Sequence, residues 1–171
     1  MDERGPLDDP ACSPVCLAFV RKLGRTPDHS RRRRILAACG KIGRPWSEEL
    51  LWEALADPNE GVRDMVVLQL CARPALSPEW AARRLRRPPW FARSAALTVI
   101  RRRRFREALP GIGAAVGDAN AGVRRAAAEA LGEIGGEEAV RMLVRLKKDD
   151  NPYVRTAAEQ AIGRTSGVRF T

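Results

Sequence analysis

Measured from five arginines, Arg32, Arg63, Arg93, Arg124 and Arg155, apolar residues return at fixed offsets along this chain. Val62, Ala92, Val123 and Val154 stand one residue before the arginine. Ile35, Val66, Ala96, Ala127 and Ala158 stand three residues after it, and Cys39, Leu70, Ile100, Leu131 and Ile162 seven after it. Steps of four place these side chains on one face of a helix. The arginines lie 31, 30, 31 and 31 residues apart, so the same amphipathic helix recurs five times. Self-similarity at such a period marks a stack of short units, each burying its apolar face only against its neighbours.

The start of this recurring helix is as regular as its face. Asp28, Asn59, Asn120 and Asn151 stand four residues before the arginines, where a side-chain oxygen accepts from free first-turn amides. Pro152 follows at the first helical position, where its missing N–H costs nothing. Gly40, Gly132 and Gly163 are expected to end three of the copies. A second, less uniform helix precedes each copy, over about residues 14–23, 47–56, 78–87, 106–116 and 137–148. Connections are short, so neighbouring helices run antiparallel. The expected organisation is an N-terminal tail (1–12), five helix pairs (13–43, 44–75, 76–104, 105–135 and 136–166) and a C-terminal tail (167–171).

Composition narrows the class. The 171 residues are 44% hydrophobic and 30% charged, which fits a folded domain. No run of 18 apolar residues predicts a membrane span, and the acidic N-terminus lacks the apolar stretch of a signal peptide. A cytoplasmic protein is expected. Of the four cysteines, Cys39 falls at an apolar repeat position and reads as a buried thiol. Cys12 and Cys16 with the single histidine, His29, match zinc spacings poorly, so no metal or other cofactor is expected.

The copies at Asp118–Gly135 and Asp149–Gly163, with Asp57–Arg63, read Asp-x-Asn-x-x-Val-Arg followed by alanines and a Leu/Ile-Gly. This pattern resembles the short HEAT-like repeat of the phycobilisome-lyase type. The resemblance implies an all-α, right-handed solenoid of about five antiparallel helix pairs. It also implies a structural ladder between repeats from Asp57, Arg63, Arg93, Asp118, Arg124, Asp149 and Arg155. Lyase activity is not implied, because such repeats serve in many scaffolds. A lyase- or chaperone-type subunit acting on a tetrapyrrole protein is the third-ranked reading.

Repeat 3 departs from the rule. Between residues 83 and 106 there are ten arginines and no acid, and these 24 residues hold the whole formal excess of +10. Arg87 stands where other repeats have the aspartate, and Pro89 where they have the cap. A cation at a helix start opposes the helix dipole. Arg83, Arg84, Arg86, Arg87, Arg101, Arg102, Arg103, Arg104 and Arg106, with Trp90 and Phe105, are the expected partner-binding residues, since guanidinium forks suit carboxylates and phosphates.

An acidic protein surface is the expected partner, bound by a non-enzymatic scaffold that is a monomer or part of a hetero-complex. Nucleic acid bound by the same arginines is the alternative. The residues one and five after each arginine, which would line a groove, are of mixed charge, which disfavours a track for a long duplex. No catalytic residues are expected. The chain carries no Gly-x-Ser-x-Gly, P-loop or His-Glu metal motif, and Gly111-Ile-Gly113 is too short for a dinucleotide fingerprint.

Overall fold

The computed structural model describes residues 14, 18, 21, 22 and 26–166. Among the described residues there are nine α-helices, one 3₁₀ turn and no strand. The chain divides into two compact units, Met1–Arg73 and Pro74–Thr171.

The first unit contains α1 (His29–Gly40), α2 (Pro45–Ala54) and α3 (Glu60–Ala72). Leu36, Leu50, Leu51, Trp52, Leu55, Val62, Val66 and Leu70 form its core. Arg73 closes the unit. Its guanidinium donates to the carbonyls of Ile42 and Arg44 and to Ser47 Oγ, each at 3.2 Å. Helix α2 begins at Pro45, two residues before the expected Ser47. Ser47 is buried and turns its hydroxyl onto the carbonyls of Ile42 and Arg44. The first helix of repeat 1 and the pair Cys12 and Cys16 lie largely or wholly outside the described residues, as do both tails. Cys39 is 4% exposed, and burial pushes its thiol up.

The second unit contains α4 (Pro78–Arg84), α5 (Trp90–Arg103), the 3₁₀ turn Arg106–Ala108, α6 (Leu109–Ala115), α7 (Ala121–Ile134), α8 (Glu137–Leu146) and α9 (Pro152–Ser166). The recurring helices α5, α7 and α9 stack side by side. Their shared faces are fully buried at Ala92, Ala96, Ile100, Val123, Ala127, Leu131, Val154 and Ala158. The helix expected over 106–116 is interrupted, because Pro110 has no N–H to give the carbonyl of residue 106. A 3₁₀ turn precedes α6 in consequence.

The expected caps form. Asp28 accepts from Ser30 N, Asn59 from Val62 N, Asn120 from Gly122 N and Asn151 from Tyr153 N. Replacing Asn120 with alanine is expected to cost about 1 kcal/mol, the usual worth of such a cap, read as a lowered urea midpoint. A midpoint unchanged within error would show the cap to be idle.

The glycines are a correction. Gly40 is the last residue of α1, as expected, but Gly132 and Gly163 do not end their helices and lie inside α7 and α9. A Cβ on Gly132 would fall 2.7 Å from Ala161 Cβ and 3.0 Å from Ala161 Cα. Glycine serves there to let α9 approach α7. The chain reversal after α7 is made by Gly135 (φ 67) and Gly136 (φ 90) instead.

Candidate functional site

The aspartate, asparagine and arginine of the repeat form one hydrogen-bonded device. Asp57, Asp118 and Asp149 each accept from the backbone N–H of the asparagine two residues on, at 2.9 Å. That bond sets the turn in which the asparagine caps the next helix. The arginine of the preceding repeat then forks onto the same carboxylate. Arg32 reaches Asp57 at 2.7 and 2.9 Å, Arg93 reaches Asp118 at 2.7 and 2.8 Å, and Arg124 reaches Asp149 at 2.7 and 2.9 Å. The third nitrogen of Arg124 donates to the carbonyls of Asp118 and Ala119. Arg63 and Arg155 make the same carbonyl contacts in their own repeats.

These pairs are nearly dry, with Asp118 11% and Asp149 8% exposed. Burial pushes the Asp118 carboxyl up. The Arg93 fork, the Asn120 amide and the charges of Arg93 and Arg124 outweigh it and hold the group below the ordinary carboxylate value. The Arg124 fork, against burial, holds Asp149 low as well. Arg32, Arg93 and Arg124 are raised by their aspartates. The ladder is structural machinery and leaves little of these groups for a ligand.

Repeat 3 offers Arg87 where its own carboxylate would stand, and Pro89 holds the N-cap position of α5 with no side-chain cap. At the far end of α5 the departure is compensated. Arg101 pairs with Glu129 at 2.7 Å and Arg104 with Glu133 at 3.1 Å, both acids on α7. Arg104 adopts the left-handed conformation (φ 51, ψ 43); one repeat later Gly135 also has a positive φ (67) but an extended ψ of −169. A side chain in that conformation costs roughly 1–2 kcal/mol relative to a right-handed one.

The ten arginines therefore separate into distinct fates. Arg93 belongs to the ladder, and Arg101 and Arg104 are neutralised by α7. Arg103 donates to the Pro74 carbonyl at 3.3 Å and lies over the Phe105 ring, 5.7 Å from its centroid. Arg83 lies over the Trp80 ring at 5.5 Å, and Arg84 is half-buried. Arg86, Arg87, Arg102 and Arg106 are exposed, and none has a carboxylate partner among the described residues.

Phe105 is corrected as a contact residue. It is only 8% exposed, because its amide closes the α5 end onto the Ile100 carbonyl and its ring turns inward. Trp90 is 48% exposed, edge-on to Phe91 at 5.8 Å and against Gly122. The cations do not make one cluster. Arg86 and Arg87 precede the start of α5 and Arg102 lies near its end, about 20 Å away at 1.5 Å per residue. The signal for Glu129 and Glu133 was present in the sequence, 28 and 29 residues beyond the arginines they face, a little under one repeat period.

Among the described residues no group of three or more His, Cys, Asp or Glu side chains could hold a metal ion, and no helix is long and apolar enough to cross a membrane.

A family model described as HEAT repeats matches residues 77–163. No curated protein matches the sequence. Human deoxyhypusine hydroxylase is similar in structure, with a TM-score of 0.59 and 19% identity over 91% of this chain. This chain spans 64% of the hydroxylase, less than two thirds of its length. The complex of CpcE and CpcF of phycocyanin lyase from Nostoc sp. gives a TM-score of 0.59 and 18% identity, covering 98% of this chain and 70% of that one. An engineered protein gives a TM-score of 0.50 and 15% identity, covering 88% and 79%. At these identities the likeness is one of fold.

Proposed function

The chain belongs to the HEAT-repeat family, and from that premise we propose that it is a non-enzymatic scaffold that docks an acidic protein surface on repeat 3. The carrying observation is the start of α5. There a half-exposed tryptophan, Trp90, follows closely along the chain on two exposed arginines, Arg86 and Arg87, which have no carboxylate partner among the described residues. An aromatic anchor beside arginines is the composition of an interface hot spot. The two cations also oppose the positive end of the α5 dipole, an unfavourable arrangement that a bound carboxylate relieves. Arg102 and Arg106 add a second cationic point at the other end of the same helix.

The separation favours protein over nucleic acid. A phosphate backbone is tracked by charge continuous along its path, whereas about 20 Å of mixed surface divides these two points. Arg101 and Arg104 are unsuitable for a test, because reversing them sets like charges against Glu129 and Glu133.

The expected result uses the triple variant Arg86→Glu/Arg87→Glu/Arg102→Glu. Fluorescence anisotropy at about 0.15 M salt compares a glutamate-rich peptide with single-stranded RNA and DNA of equal charge. The peptide should bind the natural chain, and the variant should lose at least tenfold in affinity with its helical circular dichroism unchanged. Tighter binding of either oligonucleotide, or a variant that binds as well as the natural chain, would overturn the reading.

A further inference from the structure

The first unit carries a second cationic feature, unrelated to repeat 3. A cavity of about 620 Å³ opens where α1 and α3 begin, lined by His29, Arg33 and Arg34 of α1 and by Asn59 and Gly61 at the start of α3. His29 and Arg33 are four residues apart and share a helix face. None of the residues lining the cavity is acidic, although Glu60 stands between Asn59 and Gly61 along the chain. Among the described residues none of the three basic side chains has a hydrogen bond or an ion pair. Asp28 lies beside His29 and Arg34, but its oxygen is turned onto the Ser30 amide as the cap of α1. The concentration of donors is therefore not spent on holding the fold.

The chemistry of the lining selects among anions. Two guanidinium groups, an imidazole and the positive ends of two helices converge on one space. A phosphate monoester brings close to two negative charges and three terminal oxygens, enough to receive both forks and the ring N–H. A phosphodiester brings one charge and two free oxygens, which a single fork satisfies. Gly61 leaves the start of α3 uncovered: a Cβ there would meet only Asn59 Oδ1, at 3.4 Å.

We propose that this cavity binds a phosphate monoester, with Arg33 and Arg34 forking onto its oxygens and His29 donating to the third. The group is carried either by a phosphorylated peptide or by a small phosphorylated metabolite.

His29 is the chain's one histidine, so its ring signals in an NMR spectrum report on this cavity alone. The full chain is titrated with inorganic phosphate, a phosphoserine peptide, the same peptide unphosphorylated, a sugar phosphate and an oligonucleotide lacking terminal phosphates. The monoesters are expected to shift the His29 signals saturably, while the unphosphorylated peptide and the oligonucleotide do not. The variant Arg33→Gln/Arg34→Gln should bind at least tenfold more weakly, with its helicity intact. The variant Arg86→Glu/Arg87→Glu should bind normally, which separates this site from the surface on repeat 3. Tighter binding of the phosphopeptide than of the sugar phosphate identifies a protein source, and the reverse order a metabolite. The proposal fails if no monoester gives a saturable shift up to about 10 mM, a weaker limit than the ~4 kcal/mol of millimolar binding. It also fails if the oligonucleotide binds as tightly, or if the Arg33/Arg34 variant keeps its affinity.

Discussion

Replacing Asp149 with alanine is expected to cost about 2–4 kcal/mol of folding stability, between the worth of charged hydrogen bonds and that of a buried pair broken on one side. Three things are lost at once. The Arg124 fork loses both oxygens, the Asn151 amide loses its acceptor, and the turn that places the α9 cap loses its tie. Arg124 is left 18% exposed with its charge unanswered. The double variant Arg124→Ala/Asp149→Ala should therefore be less damaged than the sum of the single changes, by about 1 kcal/mol or more in a double-mutant cycle. Urea unfolding followed by circular dichroism measures each corner. A single-variant cost below about 0.5 kcal/mol would place the pair with ordinary surface ion pairs and remove the ladder from the account of stability.

The same device sets an acid limit. The folded-state pKa values of Asp118 and Asp149 are lowered, so the unfolded chain binds their protons more readily than the folded one. Their contribution is present in full above the ordinary aspartate value of about 3.9 and is lost as pH falls through the lower folded values. The variant Asp118→Asn/Asp149→Asn should start less stable at neutral pH and fall less steeply below about pH 4. Parallel acid-unfolding curves for the two proteins would contradict that sign.

What could be read from the sequence was whatever repeats locally. The offsets from Arg63 to Arg155 gave the buried faces, and the asparagines four residues earlier gave the caps, because both follow from one helix considered alone. Contacts between repeats were legible only where the motif itself pairs across the period, as Arg93 does with Asp118. The arginines at 101 and 104 looked unopposed because residues 83–106 contain no acid. Their partners Glu129 and Glu133 are 28 and 29 residues away, the spacing at which a stacked repeat brings side chains together. Phe105 was misplaced for a related reason. Its burial follows from the left-handed turn at Arg104, which no local propensity for arginine foretells. The same limit applies to Gly132, whose local meaning as a helix terminator was overridden by the approach of a neighbouring helix.

That override carries the other large expected effect. Gly132 and Gly163 hold equivalent positions in consecutive repeats, yet their substitution should have opposite signs. Around Gly163 nothing among the described residues lies within 4 Å of an added Cβ, so Gly163→Ala gains helix propensity, up to about 1 kcal/mol. At Gly132 the same gain is opposed by Ala161, whose Cα belongs to the backbone of α9 and cannot rotate away. Overpacking of this kind costs about 1–3 kcal/mol, so Gly132→Ala should be net destabilising, and Gly132→Leu should lose about 3 kcal/mol or more by forcing α9 off α7. Gly40 supplies an internal comparison, since its near neighbour is the flexible end of Gln69. Gly40→Ala should displace that amide from the Ala37 carbonyl, to which it donates at 3.1 Å, at a smaller cost than at Gly132. The order of urea midpoints is then Gly163→Ala above the natural chain, Gly40→Ala below it, and Gly132→Leu lowest. A Gly132→Leu chain as stable as the natural one would mean that α7 and α9 do not approach through this glycine, and the close stacking of the recurring helices would have to be given up with it.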